Sequence, residues 1–226
     1  MAFVVVVTGL LAEARLVQPV AGRAIAGGGD PARLEAELDR ALADGAQAVL
    51  SFGLAAGLAP QRPPGTLLVP TEVIGGSQRY ATDARWSQRM RCALGAADPG
   101  PVAGVDSPLR GPIDKAQLHQ ATGAVAADME SHFAARLALR TGRPFAALRV
   151  ICDPAERALP PAALVGMKPD GRVDLAALLA SLLRNPRQLP DLIRVASDAR
   201  VALSVLTRCR TVLGPELGWV GTLGSQ

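Results

Sequence analysis

Aromatic side chains are scarce in this chain: Phe, Trp and Tyr make up only 3% of its 226 residues. The interior must therefore be filled by Ala, Leu and Val. Hydrophobic residues reach 49%, enough for a sizeable core. Also missing is a dense basic block with interleaved aromatics, the footprint of nucleic-acid binding, so no nucleic-acid partner is expected. The net charge is +4, and the 22 arginines and two lysines are scattered along the chain. That spread suits a solvated surface or attraction to anions such as phosphate. Cysteine is sparse as well. Cys92, Cys152 and Cys209 are odd in number and far apart, and His119 and His132 add no zinc spacing. These features predict a reducing compartment and no metal centre. No apolar run reaches membrane-spanning length without Arg, Pro or Gly, and apolar residues 3–7 lack a basic leader. A cytoplasmic protein is expected, with peripheral membrane contact as its furthest approach to a bilayer.

The apolar runs that are present are short and strand-like. Residues 3–7, rich in β-branched side chains, read as a strand buried on both faces. Thr8-Gly9 breaks the run, and a helix over 10–17 carries Glu13 and Arg15. Residues 23–26 make a short strand. Asp30 and Pro31 then have the chemistry of an N-cap and a first helical position, opening a helix to about residue 44. Residues 48–52 read as the next buried strand, running into a small-residue loop, Gly53-Leu54-Ala55-Ala56-Gly57. Such a loop lets backbone amides approach a ligand, but it has no lysine or hydroxyl, so a tight strand–loop crossing accounts for it as well. Further on come a strand at 66–69, a polar loop at 75–80, and helices at 86–94 and 112–122. Residues 145–152 form the most strand-like segment of the second half, 158–165 an apolar loop and 168–172 more loop. A helix follows at 174–183, and one or two long helices over 189–213 make a helical C-terminal segment at about 186–226. Strands alternating with helices predict one α/β domain over residues 1–226, a mostly parallel sheet between helical layers. Ligands bind at the carboxyl edge of such a sheet.

Three acids fall at that edge. At Ala127-Asp128-Met129-Glu130-Ser131 an apolar run meets a helical pattern. Its carboxylates suit the paired hydroxyls of a ribose and its thioether suits the sugar face. The residues fit an acidic helix start equally well. Glu13 has the same two readings. Asp153, just past the strand at 145–152, is a candidate proton donor, because burial raises a carboxyl pKa; an ordinary Asp-Pro turn fits too.

In order and spacing, Gly9 with Glu13, GLAAGLAP at 53–60, ADMES at 127–131 and RVICDPA at 149–155 resemble one family. It is the purine nucleoside phosphorylase and methylthioadenosine–S-adenosylhomocysteine nucleosidase superfamily, and the resemblance covers roughly residues 3–183. The family's marks are a Gly-x-Ala-Gly-Gly-Leu loop, a Val-Glu-Met-Glu stretch and an Arg-x-Ile-Ser-Asp stretch. TGLLAEAR at 8–15, the ADMESH form and the arginine-rich tail are most similar to its hopanoid-associated branch, which acts on adenosylhopane. The resemblance implies a three-layer α/β/α sandwich with a twisted mixed sheet, and cleavage of an adenine nucleoside at its N-glycosidic bond by water or phosphate. It implies Asp153 as general acid at purine N7, Glu130 on the ribose hydroxyls, Met129 beneath the sugar and Glu13 positioning a water. It puts Gly9, Gly53 and Ala55 beside the substrate. Asp128 stands where the family has a glutamate, Leu54 where it has Ser or Thr, and Val105-Asp106-Ser107-Pro108 where a base-stacking aromatic often lies. Arg15 and Arg79 are the candidates for a phosphate co-substrate. No cofactor is implied, and a homodimer is. A methylthioadenosine-type nucleosidase and a non-catalytic nucleoside-binding protein are the alternative readings.

Overall fold

A computed structural model describes residues 3–18, 22–28, 30–165 and 174–221. The loop expected at 168–172 lies outside these residues.

The first half alternates β1 (Phe3–Thr8), α1 (Leu11–Val17), β2 (Arg23–Ala26), α2 (Pro31–Ala43) and β3 (Ala46–Gly57). β2, β1 and β3 pair in parallel. Along β1 the side chains alternate. Val4 and Val6 enter a cluster with Trp86, Met90, Leu206 and Cys209, while Val5 and Val7 enter a second with Leu34, Leu38, Phe133 and Leu137. The sheet thus separates two apolar layers, as the period of two in a strand requires. Each fully buried valine contributes about 1.5–3 kcal/mol, so this run anchors both cores. α2 starts where expected, with the Asp30 side chain accepting the Arg33 amide at 3.0 Å and Pro31 next.

The middle of the chain supplies β4 (Leu67–Leu68), β5 (Glu72–Gly75), β6 (Gln78–Ala81), α3 (Ala84–Leu94), β7 (Val102–Gly104) and α4 (Pro112–Thr122). Then come β8 (Ala126–Asp128), α5 (Ser131–Thr141) and β9 (Phe145–Asp153). The chain ends with α6 (Pro161–Val165), α7 (Leu175–Arg184), a 3-10 turn (Pro186–Gln188) and α8 (Leu189–Leu213). The sheet order is β2-β1-β3-β8-β7-β5-β6, with β9 on the other flank of β3 and β4 on β9. This is a mixed α/β fold, a central mixed sheet flanked by helices.

The sheet itself is mostly parallel, as expected, with β3–β8, β4–β9 and β5–β6 antiparallel. Three expectations need correction. The stretch 53–57 is strand, because β9 pairs with β3 from Val49 as far as Ala56. The loop at 75–80 is the turn and second arm of a hairpin, with Gly76 at φ 59° between β5 and β6. The apolar loop at 158–165 closes into α6 over its last five residues. Among the described residues no helix is long and apolar enough to cross a membrane.

Candidate active site

The site grows from a gap in the sheet. On one flank of β3, β1 pairs only as far as Ser51, and β8, running the opposite way, pairs only at Ala56 and Gly57. Between them the backbone of residues 52–55 has no strand partner on that side. Buried amides and carbonyls need partners, and two side chains supply them for Leu54. Its N–H donates to Glu13 Oε1 at 2.8 Å, and its carbonyl accepts from Arg149 Nη1 at 3.3 Å. Such a switch point is where open α/β sheets place ligands.

A cavity of about 220 Å3 opens there. Glu13, Glu130 and Asp153 all line it, as do Gly9, Ala55, Asp128 and Met129. The three acids thus converge from α1, the β8–α5 junction and the end of β9.

Glu13 is held rigidly. Its Oε2 accepts the amides of Gly9 and Leu10, each at 2.8 Å, in addition to the Leu54 contact. Three of about four acceptor directions of the carboxylate are filled, leaving one on Oε1. Burial pushes its pKa up, against Arg149 and the three amides. Gly53 stands behind it and is not part of the cavity wall. With φ at 156°, a Cβ there would fall 2.8 Å from the Glu13 carboxyl group and 2.9 Å from Arg149 Nη1. Glycine is the residue that lets the acid reach the gap.

Glu130 lies between the glycine turns after β1 and β2. A Cβ on Gly9 would meet both its oxygens at 3.0 Å, and one on Gly27 its Cγ at 3.0 Å. Its pKa is pushed up to about 8 by burial, opposed by Arg149 and reinforced by Asp128 and Glu13. Met129 is half-buried beside it.

Asp128 borders the cavity, but its oxygens are engaged elsewhere. Oδ1 accepts the Ser131 amide at 2.9 Å and the Glu130 amide at 3.2 Å, which caps α5. Oδ2 accepts the Ser131 hydroxyl and pairs with Arg149 Nε at 2.5 Å. The shorter acid thus organises the helix start and the arginine. Arg149 is fully buried in β9. It also donates from Nη2 to Ser51 Oγ at 2.5 Å, and Nη2 lies 3.9 Å from Glu130 Oε2.

Asp153 sits at the opposite end. Lys115 of α4, fully buried, places its Nζ 2.7 Å from Asp153 Oδ2. Burial pushes the Asp153 pKa up, with Asp198 adding to the rise; Lys115 and Arg157 oppose it. Neither Arg149 nor Lys115 stands out as a site residue in the sequence. A lone arginine inside an apolar strand run is the one signal that marks Arg149, because a buried charge needs partners. The polar sequence of α4 has no comparable mark for Lys115.

The two phosphate candidates stand away from the cavity. Arg15 is exposed on α1, and Arg79 pairs with Glu72 at 2.5 Å on the β5–β6 hairpin. Among the described residues that line the cavity none is basic. The rest of the wall is apolar: Leu10, Leu54, Val105, Pro108, Leu109, Leu159 and Val195. Cys152 also lines it, its thiol pushed up to about 12 by burial.

Several solved structures share this fold. A 5′-methylthioadenosine/S-adenosylhomocysteine nucleosidase from Colwellia psychrerythraea 34H, in complex with adenine, matches with a TM-score of 0.64 at 13% identity, covering 97% of this chain and 99% of that one. The S-adenosylhomocysteine nucleosidase from Streptococcus pyogenes, in complex with 5-methylthiotubericidin, matches with 0.61 at 15%, covering 92% and 94%. A futalosine hydrolase mutant from Helicobacter pylori matches with 0.56 at 15%, covering 66% and 88%. No curated protein matches the sequence significantly. The model of the phosphorylase superfamily matches residues 4–184. With four-fifths of its length inside that match, the chain belongs to the phosphorylase superfamily.

Proposed function

We propose that this enzyme hydrolyses the N-glycosidic bond of an adenine nucleoside. The observation that carries the reading is the convergence of Glu13, Glu130 and Asp153 on one cavity. Asp153 gives a proton to the ring nitrogen of the leaving base as the electron pair of the C1′–N9 bond moves to the base. General acids of this kind contribute about 10²–10⁴-fold. Glu130 holds the ribose hydroxyls and, in its ionised form, offsets the positive charge growing on the sugar, with Met129 packed beneath the ring. Glu13 orients a water through its remaining acceptor direction and takes the water's proton as oxygen bonds to C1′. The products are free adenine and a free ribose derivative. Water is preferred to phosphate because a phosphate dianion would meet carboxyl groups and no lining cation. Adenine and an adenosine analogue, named as ligands of the solved relatives, support an adenine-type base.

For the 5′ substituent we favour an apolar group, and a hopanoid chain over a methylthio group. Leu54, Leu159 and Val195 give the wall an apolar character that suits it. Ile193, on the same helix as Val195, is 61% exposed, and Arg194 beside it is exposed as well. That combination fits a long apolar chain leaving the mouth beside an anionic bilayer, where each nearby basic residue contributes about 1 kcal/mol. A cytoplasmic enzyme with peripheral membrane contact follows from this reading. We take the assembly to be a two-fold homodimer, which the exposed apolar Leu139 supports. A methylthioadenosine-type nucleosidase is the second reading, favoured by the fold likeness to such enzymes. Competition decides between them: kcat/KM for adenosylhopane should exceed that for methylthioadenosine. Equal or better cleavage of methylthioadenosine rejects the lipid, and release of adenine from neither rejects the nucleoside reading.

A further inference from the structure

α4 is an unusual helix, because the only side chain it fully buries is that of Lys115. Burying an amine costs several kcal/mol unless its charge and its donors are met, and for packing alone an apolar residue would serve as well or better. Two backbone carbonyls accept from the Lys115 amine, and its charge faces a carboxyl oxygen. Nζ lies 2.7 Å from Asp153 Oδ2, 2.8 Å from the Pro154 carbonyl and 2.9 Å from the Arg157 carbonyl. The two carbonyls belong to the turn that follows β9, so the amine ties that turn to the carboxyl group at the strand's end. Oδ2 is thereby held against the ammonium as an ion pair, buried and with no hydrogen bond of its own. Asp153 itself lines the cavity.

We propose that Lys115 is the positioning residue for Asp153: it pins Oδ2, presents Oδ1 to the leaving base and stabilises the carboxylate left after proton transfer. The proposal rests on the reading of Asp153 as the general acid. During cleavage the C1′–N9 electron pair goes to the base, and the proton on Oδ1 goes to the base's ring nitrogen. Negative charge then develops on Asp153, 2.7 Å from the ammonium. A cation aimed at charge that appears in the transition state lowers the barrier rather than only tightening binding. The other charged groups facing Asp153 are Arg157 and Asp198, which are paired with each other. Their contributions oppose one another, so Lys115 carries the balance.

Lys115→Gln removes the charge but keeps N–H donors for the two carbonyls; Lys115→Arg keeps the charge with different donors. The readouts are kcat/KM against pH for adenine release and the melting temperature. A carboxyl acid works while protonated, so its activity falls on the alkaline side. Without the ammonium, burial acts unopposed, and the alkaline limb should move up by about one pH unit or more in Lys115→Gln. The plateau should drop about tenfold or more, since a weaker acid transfers its proton less readily. Lys115→Arg should keep its limb near that of the wild type. If the limb stays put in Lys115→Gln, or moves as far in Lys115→Arg, the role is structural and the proposal falls. Should Lys115→Gln not fold, the Lys115→Arg limb still decides. Asp153→Asn separates this from the underlying reading. A fully active Asp153→Asn overturns the acid itself, whereas an inactive Asp153→Asn beside an unaffected Lys115→Gln overturns only the role of Lys115.

Discussion

At one end of the cavity three carboxyl groups, Asp128, Glu130 and Glu13, share the guanidinium of Arg149, while at the other end Asp153 has the ammonium of Lys115 to itself. The acids at both ends are buried, and they differ in how their countercharge is shared. One arginine cannot neutralise three carboxyl groups. Asp128 holds it most closely, and burial raises the proton affinity of both Glu13 and Glu130, the latter to about 8. Asp153 has a close countercharge, which makes its proton easier to give away. The proposed reaction, a cationic sugar stabilised at one end and a leaving base protonated at the other, calls for acids in unlike surroundings. Two equivalent acids would not divide the work.

The largest effect expected from breaking the comparison is at Asp153. Asp153→Asn fills the same volume but cannot donate an acidic proton, so kcat/KM should fall by about 10²–10⁴-fold with the fold intact. Steady-state adenine release together with circular dichroism checks this, and activity within a few-fold of wild type would reject the assignment. Next comes the countercharge at the other end. Arg149→Met strands Asp128 and leaves the Leu54 carbonyl without its donor, so stability should fall by about 3–5 kcal/mol. Urea denaturation measures it, and a loss below about 1 kcal/mol would mean the cluster relaxes without the arginine.

Gly53→Ala tests the crowding between Glu13 and Arg149. The added methyl group must displace one of them, at a cost of about 1–3 kcal/mol. Activity should suffer more than stability, since Glu13 loses its place in the gap; unchanged kcat would show that Glu13 need not sit there. The smallest expected effect is the pH dependence of stability at Glu130. Its folded pKa of about 8 lies above the ordinary 4.5. Its stabilising contribution is therefore complete below 4.5 and is lost as pH rises through 8. Glu130→Gln removes that dependence. Its stability should gain on that of the wild type between pH 5 and pH 9, by on the order of a few kcal/mol at most, as read by urea denaturation at each pH. A constant difference across that range would contradict the raised value.

The parts of the site that the sequence reveals are those tied to strand ends. The run of valines before Thr8-Gly9 and the run ending at Asp153-Pro154 each announce where a buried strand stops, so Glu13 and Asp153 can be placed on one edge before any coordinates. Glu130 and Met129 follow from the apolar-to-helical junction in the same way. Small residues carry no such mark. Gly53, Ala55 and Gly57 read as a loop because they lack side-chain periodicity, and it is pairing with β9, distant in sequence, that keeps them extended. Charge alone also gives no address, as the exposed Arg15 and the paired Arg79 demonstrate. Lys115 is the plainest case of hidden information. Its helix has a polar sequence, and only the packing of α4 against the end of β9 turns one of its residues into the partner of an acid.

The most direct test of two unequal poles acting on one bond is product analysis of the wild-type enzyme with an adenine nucleoside, with and without inorganic phosphate. Free adenine and a free reducing sugar should form at the same rate in both conditions. A phosphorylated sugar appearing only with phosphate, or no adenine in either, would contradict the account.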